Sequence, residues 1–224
     1  MTLYKLTYPY TWEERKPCLH EGVLFIPPHY DQHTSWTLPS WEEIFGNQNP
    51  VHIEYCTGNG TWLAEKAKDP SVNWIAVEKR FDRTQKIWSK KRTKRLNNLL
   101  VVYGDAHIFI KDYMKDHQVD EVYVNFPDPW PKLKHAKNRL FQQEFVRHLA
   151  RTVRPHGCLT VVTDDAVYSH QVMDEVLENP SWGSFFASPH YVTSLEGYGT
   201  SFFEELWRQK GKEIRYMKFI REES

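Results

Sequence analysis

Between Val51 and Asp165 the chain repeatedly does the same thing: a short apolar run closes on a glycine or an acid, and a stretch of helical periodicity follows. That alternation restricts the fold more than any other feature, because strands separated by helix-length segments pair in parallel through β–α–β crossovers. The strands expected are Val51 to Tyr55, Asn73 to Val77, Leu99 to Tyr103 and Glu121 to Phe126, with another rising out of RPHGCLTVVTDD and ending on Thr163, Asp164 and Asp165. Phe81 to Leu96, with Ile87, Trp88 and Leu96 inward, and Phe141 to Val153, with Phe141, Phe145, Leu149 and Val153 in register, read as amphipathic helices. Ala166 to Leu177 reads as a further helix, and Trp182 to Val192 with Ile214 to Ile220 as an antiparallel hairpin at one sheet edge.

Ligands of open α/β sheets collect at the carboxyl ends of the strands, so the residues there carry the functional argument. After the first strand, Gly58 and Gly60 in EYCTGNG let the backbone turn tightly and approach a ligand, and Trp62, Leu63 and Ala67 begin a helix. The second strand closes on Glu78, about twenty residues beyond Gly58, the spacing at which an acid reaches a ribose hydroxyl pair. Together these point to an adenosine-containing ligand. The third strand closes on Gly104-Asp105, where the carboxylate can meet a base edge and can equally cap the helix that follows.

The fourth strand opens into NFPDPWPKLKHAKNR. Pro127, Pro129 and Pro131 fix φ at alternate positions, so Asp128 and Trp130 are presented with little loop entropy. Lys132, Lys134, Lys137 and Arg139 follow, and the helix over Phe81 to Leu96 carries Arg83, Lys86, Lys90, Lys91, Arg92, Lys94 and Arg95; both are candidate phosphate-facing surfaces. Because basic and acidic residues balance at 29 each, any contact with a polyanion has to come from such local patches. Near the C-terminus, Thr200 or Ser201 with Phe203 and Glu204 has the spacing of a helix capping box.

Residues 1–49 lack a clear period and are rich in Tyr, Trp, Pro and His; they are expected to form an extension that packs on the domain or contacts RNA, with the domain proper at 50–224. Cys18, Cys56 and Cys158 have no paired spacing, no secretory leader or membrane-length apolar run is apparent, and His29 with His33 has no third metal ligand, so a cytoplasmic chain without a metal site is expected.

With the glycine loop, the acids after successive strands and the D-P-W turn together, the chain resembles the class I S-adenosylmethionine-dependent methyltransferases. More narrowly, NFPDPWPK followed by K-H-x-K-x-R, the later Thr163-Asp164 and the Ser201-x-Phe203-Glu204 segment resemble the bacterial tRNA (guanine-N7)-methyltransferase family, from about Val51 to Phe219. The resemblance implies an α/β, Rossmann-like fold with a mostly parallel seven-stranded sheet, helices on both faces and an antiparallel C-terminal hairpin. It implies S-adenosyl-L-methionine held by Glu54, Gly58, Gly60, Glu78, Asp105 and Asp128, with Asp128 also catalytic. It implies tRNA as partner, met by Lys132, Asp164, Ser201, Phe202, Phe203 and Glu204, with no membrane or DNA partner expected. One departure stands out: Cys56 occupies the first glycine of the family's E-x-G-x-G-x-G loop. Two other readings use the same residues. One is an NAD-dependent oxidoreductase, which would want a glycine where Leu63 stands. The other is a non-catalytic RNA-binding module that lost cofactor affinity through Cys56.

Overall fold

The apolar runs become strands, and the segments between them become helices that carry the chain back across the sheet. The structure, a computed structural model, describes residues 5–223; residues 1–4 and 224, the outer ends of the expected extension and domain, lie outside the described residues. The chain divides into two units, 1–114 and 115–224.

In the first unit the strands are β1 (Cys18–His20), β2 (Val23–Phe25), β3 (Val51–Tyr55), β4 (Asn73–Glu78) and β5 (Leu99–Tyr103). They lie in the order β1-β2-β5-β4-β3, with β2, β5, β4 and β3 parallel and β1 antiparallel to β2. Every residue of β4 and β5 is buried, as the uninterrupted apolar runs require of strands covered on both faces. The helices are α1 (Trp41–Phe45), α2 (Thr61–Lys66), α3 (Phe81–Thr93) and α4 (Ala106–Ile108), the last widening into a π-helical turn over Phe109–Tyr113. Leu63, Ile87 and Phe109 from these elements are wholly buried, with Ile53, Ile75 and Val101 of the sheet.

Residues 1–49 contribute more than was expected of an aperiodic extension. β2 joins the sheet beside β5, pairing Val23, Leu24 and Phe25 with Val101, Val102 and Tyr103. The stretch after α1 is tied to the foot of β4, where the amide of the fully buried Asn73 donates to Asn47 Oδ1 at 2.8 Å. α1 itself has a complete capping box between Ser40 and Glu43.

The second unit holds β6 (Val119–Asn125), β7 (Val153–Thr163), β8 (Trp182–Ser184) and β9 (Arg215–Arg221) in the order β6-β7-β9-β8. β6 and β7 are parallel; β9 runs antiparallel to both β7 and β8. The expected closing hairpin is present, although its first strand ends at Ser184, and Val192 returns only as an isolated bridge to Tyr216. α5 (Gln143–Thr152), α6 (Ala166–Leu177) and α7 (Phe202–Gln209) complete the unit, α5 burying Phe145, Val146, Leu149 and Ala150 on one stripe. No helix among the described residues is long and apolar enough to cross a membrane.

Candidate functional site

The turn between β3 and α2 is built from left-handed residues, with φ of 58° at Cys56, 65° at Gly58 and 70° at Gly60. Glycine enters this region without steric cost, whereas a residue with a Cβ is strained there. Cys56 carries that strain, and this is the physical meaning of its departure from the glycine pattern. Gly60 has a second constraint: a Cβ would come 2.8 Å from Ile87 Cγ1, so the absence of a side chain lets α3 pack against the turn.

Glu78 at the end of β4 is buried and faces this turn. Its Oε2 accepts the Gly58 N–H at 2.9 Å, its Oε1 accepts the Arg80 N–H at 2.8 Å, and the Arg83 guanidinium lies 3.8 Å away. Burial pushes the Glu78 carboxyl above the usual range, opposed by those N–H groups and by Arg83. Glu54, at 2% exposure, sits just before the turn, and its carbonyl accepts the Thr57 hydroxyl at 2.8 Å. Gly104 donates to the Glu78 carbonyl at 3.1 Å, which sets Asp105 beside the end of β4. Asp105 caps α4 by accepting the His107 N–H at 2.9 Å, the bland role foreseen for it.

These residues fit S-adenosylmethionine. An acid at the second strand end and a tight turn free of side chains at Gly58 and Gly60 leave room for a nucleoside to approach the backbone there. The basic helix α3, by contrast, spends much of its charge internally. Lys90 Nζ donates to the Asn59 carbonyl at 2.8 Å, bracing the same turn; Lys91 donates to the Leu99 carbonyl; Lys94 pairs with Glu65. Lys86, Arg92 and Arg95 remain on the exposed face.

In the second unit the proline turn carries Asp128 exposed between two strained residues, Phe126 with φ 50° and Trp130 with φ 42°. Arg139 holds this shape. Read from sequence as a phosphate ligand, it is 7% exposed, and its guanidinium instead donates to the Pro129 carbonyl at 2.7 Å and the Trp130 carbonyl at 3.3 Å. It also bonds Gln171 and lies over the Tyr168 ring, both on α6. Trp130 packs edge-on against His135 at 5.7 Å, while Lys132, Lys134 and Lys137 are exposed.

Asp164 is half-buried at the end of β7, 3.6 Å from Lys212 Nζ, and its neighbour Asp165 caps α6 through the Tyr168 N–H. Ser201 caps α7, its Oγ accepting the Glu204 N–H at 3.1 Å. Glu204 does not close the capping box. At 3% exposure it turns inward, where Oε1 accepts the Tyr216 hydroxyl at 2.6 Å and Arg208 Nε at 3.0 Å. Phe203 lies 6.2 Å from Phe126, bringing the start of α7 to the proline turn, and Phe202 beside it is 53% exposed. Sequence reasoning did not connect Asn125 at the end of β6 with Tyr198, joined by a 2.6 Å hydrogen bond, because no pattern in the chain links two residues so far apart.

The family model described as "Putative methyltransferase" matches residues 48–217. Among solved structures, the 16S rRNA methyltransferase KamB is similar in fold, with a TM-score of 0.57 and 17% identity, covering 82% of this chain and 93% of that one. Among curated proteins, the tRNA (guanine-N(7)-)-methyltransferase of Chlamydia trachomatis serovar D is 48% identical over 217 residues, 96% of each chain. The enzyme of the same name from Bacillus cytotoxicus is 33% identical, covering 78% of this chain and 81% of the relative. With the turn that carries Asp128 and the loop that faces Glu78 both in place, the chain belongs to the tRNA (guanine-N7)-methyltransferase family.

Proposed function

We propose that this chain transfers a methyl group from S-adenosyl-L-methionine to N7 of the variable-loop guanosine, position 46, of tRNA, in the cytoplasm. The near full-length identity to the chlamydial enzyme carries the reading. The structure supports it through the braced loop around Gly58 and Glu78 and the clamped turn around Asp128.

S-adenosylmethionine supplies an electrophilic methyl on a positively charged sulfur. Guanine N7 offers an in-plane lone pair and carries no proton, so the protein needs no general base and its task is alignment and electrostatics. Glu54, Glu78 and Asp105, with the side-chain-free Gly58 to Gly60 turn, hold and orient the cofactor. Asp128 and Asp164 orient the guanine, and the Asp128 carboxylate offsets the positive charge that the purine acquires as the N7–methyl bond forms. Lys132 and the exposed Lys134 and Lys137 meet phosphates, and Ser201 to Phe203 present the start of α7 to the RNA.

The direct test is transfer of radiolabelled methyl to unmodified tRNA, with the modified base located by chemical cleavage at 7-methylguanosine. Cleavage at position 46 by the wild type, lost in Asp128→Ala, is the expected result. Absence of transfer by a folded protein that binds tRNA would overturn the reading in favour of an RNA-binding module.

A further inference from the structure

The short segment before β1 is anchored on the ends of the strands that carry the cofactor acids. The Tyr8 ring stacks on Phe81, with centroids 4.0 Å apart and planes at 18°, and its hydroxyl is 3.1 Å from that of Tyr103. Two residues back, Leu6 is 1% exposed, and its carbonyl accepts the Gln85 amide at 2.8 Å. Phe81 opens α3 just after Glu78, and Tyr103 closes β5 just before Asp105. Phe25, at the end of β2, completes the aromatic cluster at 6.3 Å from Tyr8 and 6.0 Å from Tyr103. Tyr8 nevertheless stays 45% exposed.

Such an arrangement is a pre-organised stacking surface. The ring is fixed by a stack, a hydrogen bond and an anchored backbone two residues before it, so little conformational freedom remains to be lost when a flat ligand covers it. The flat group expected there is the purine whose ribose Glu78 takes and whose edge Asp105 takes. We infer that Tyr8 is a cofactor-binding residue of this enzyme, the segment Leu6 to Tyr10 serving as a wall of the adenosine site against which adenine stacks. The inference rests on the reading of the chain as a user of S-adenosylmethionine, and it gives the N-terminal extension a role within the cofactor site.

Calorimetry tests it on the full chain with S-adenosylhomocysteine and with methylthioadenosine, which keeps the adenosine end alone. The expected result is that Tyr8→Ala weakens both ligands about tenfold while Tyr8→Phe, which keeps the ring, stays within about twofold of wild type. Circular dichroism and tRNA affinity should match wild type in both variants, since the ring caps the cluster from outside and is 45% exposed. Unchanged cofactor affinity in a folded Tyr8→Ala protein overturns the inference and leaves the methyltransferase reading standing. A fall in tRNA affinity alone overturns it in favour of an RNA contact. A wild type that binds neither ligand removes both readings together.

Discussion

The carboxylate of Glu78 accepts the N–H of Gly58 across a separation of twenty residues, at 2.9 Å. The acid expected to hold the ribose thus also holds the loop that faces it, so the shape of the loop and the position of the acid are set by one bond. With Lys90 bracing the Asn59 carbonyl from α3, the glycine turn is fastened from two elements. Its conformation is therefore largely prepared before a ligand arrives, which lowers the cost of ordering on binding.

Cys56→Gly should stabilise the protein. The residue sits at φ 58°, where a Cβ costs about 1 kcal/mol relative to glycine. The measurement is the denaturant midpoint; a variant no more stable than wild type would show that the cysteine side chain makes contacts worth as much as the strain.

Arg139→Lys should loosen the proline turn although charge is kept. A lysine cannot reproduce the fork that reaches the Pro129 and Trp130 carbonyls and Gln171 together. A loss of about 2 kcal/mol in stability is expected, with methyl transfer falling more than tenfold. Full activity in this variant would show that the turn holds its shape through the prolines alone.

Asp128→Asn keeps the size and removes the charge. The maximal rate of methylation should fall by about 10²- to 10³-fold, while S-adenosylhomocysteine and tRNA affinities change little. A drop confined to tRNA affinity would assign Asp128 to docking the RNA.

Lys91 gives a pH signature. Burial pushes its ammonium down to about 8, from an ordinary 10.5. Between those values the unfolded chain holds a proton that the folded chain has released, so this group's contribution to stability rises with pH across that window. Set against Lys91→Met, wild type should be the less stable partner at pH 7 and close the gap by pH 10. A gap that stays constant would mean that Lys91 titrates normally.

The parallel strands were legible because runs such as NWIAVE and LLVVY are long enough and apolar enough to admit no other role. β2 was not, since its strand spans only Val23–Phe25, between Gly22 and a pair of prolines, and so short a run has no period to detect. The positions of the glycine loop, Glu78, Asp105 and Asp128 at or just beyond strand ends were legible, because each follows an apolar run. What the α3 lysines do was not, because a run of charges in one dimension does not say which of them find carbonyls in three. Arg139 was misread for the same reason: its guanidinium reaches back to carbonyls ten residues earlier and forward to Gln171, and neither partner has a pattern in the sequence.

The Arg139 clamp has a dynamic side. Because its guanidinium also reaches Gln171 and Tyr168 on α6, the turn carrying Asp128 and a helix some thirty residues downstream are held by one side chain. The carboxylate proposed to act on the guanine thus belongs to one cooperative unit with α6. Amide hydrogens of α6 and of the turn should open to exchange together, and any fluctuation that lifts α6 should switch the enzyme off before the sheet itself is disturbed.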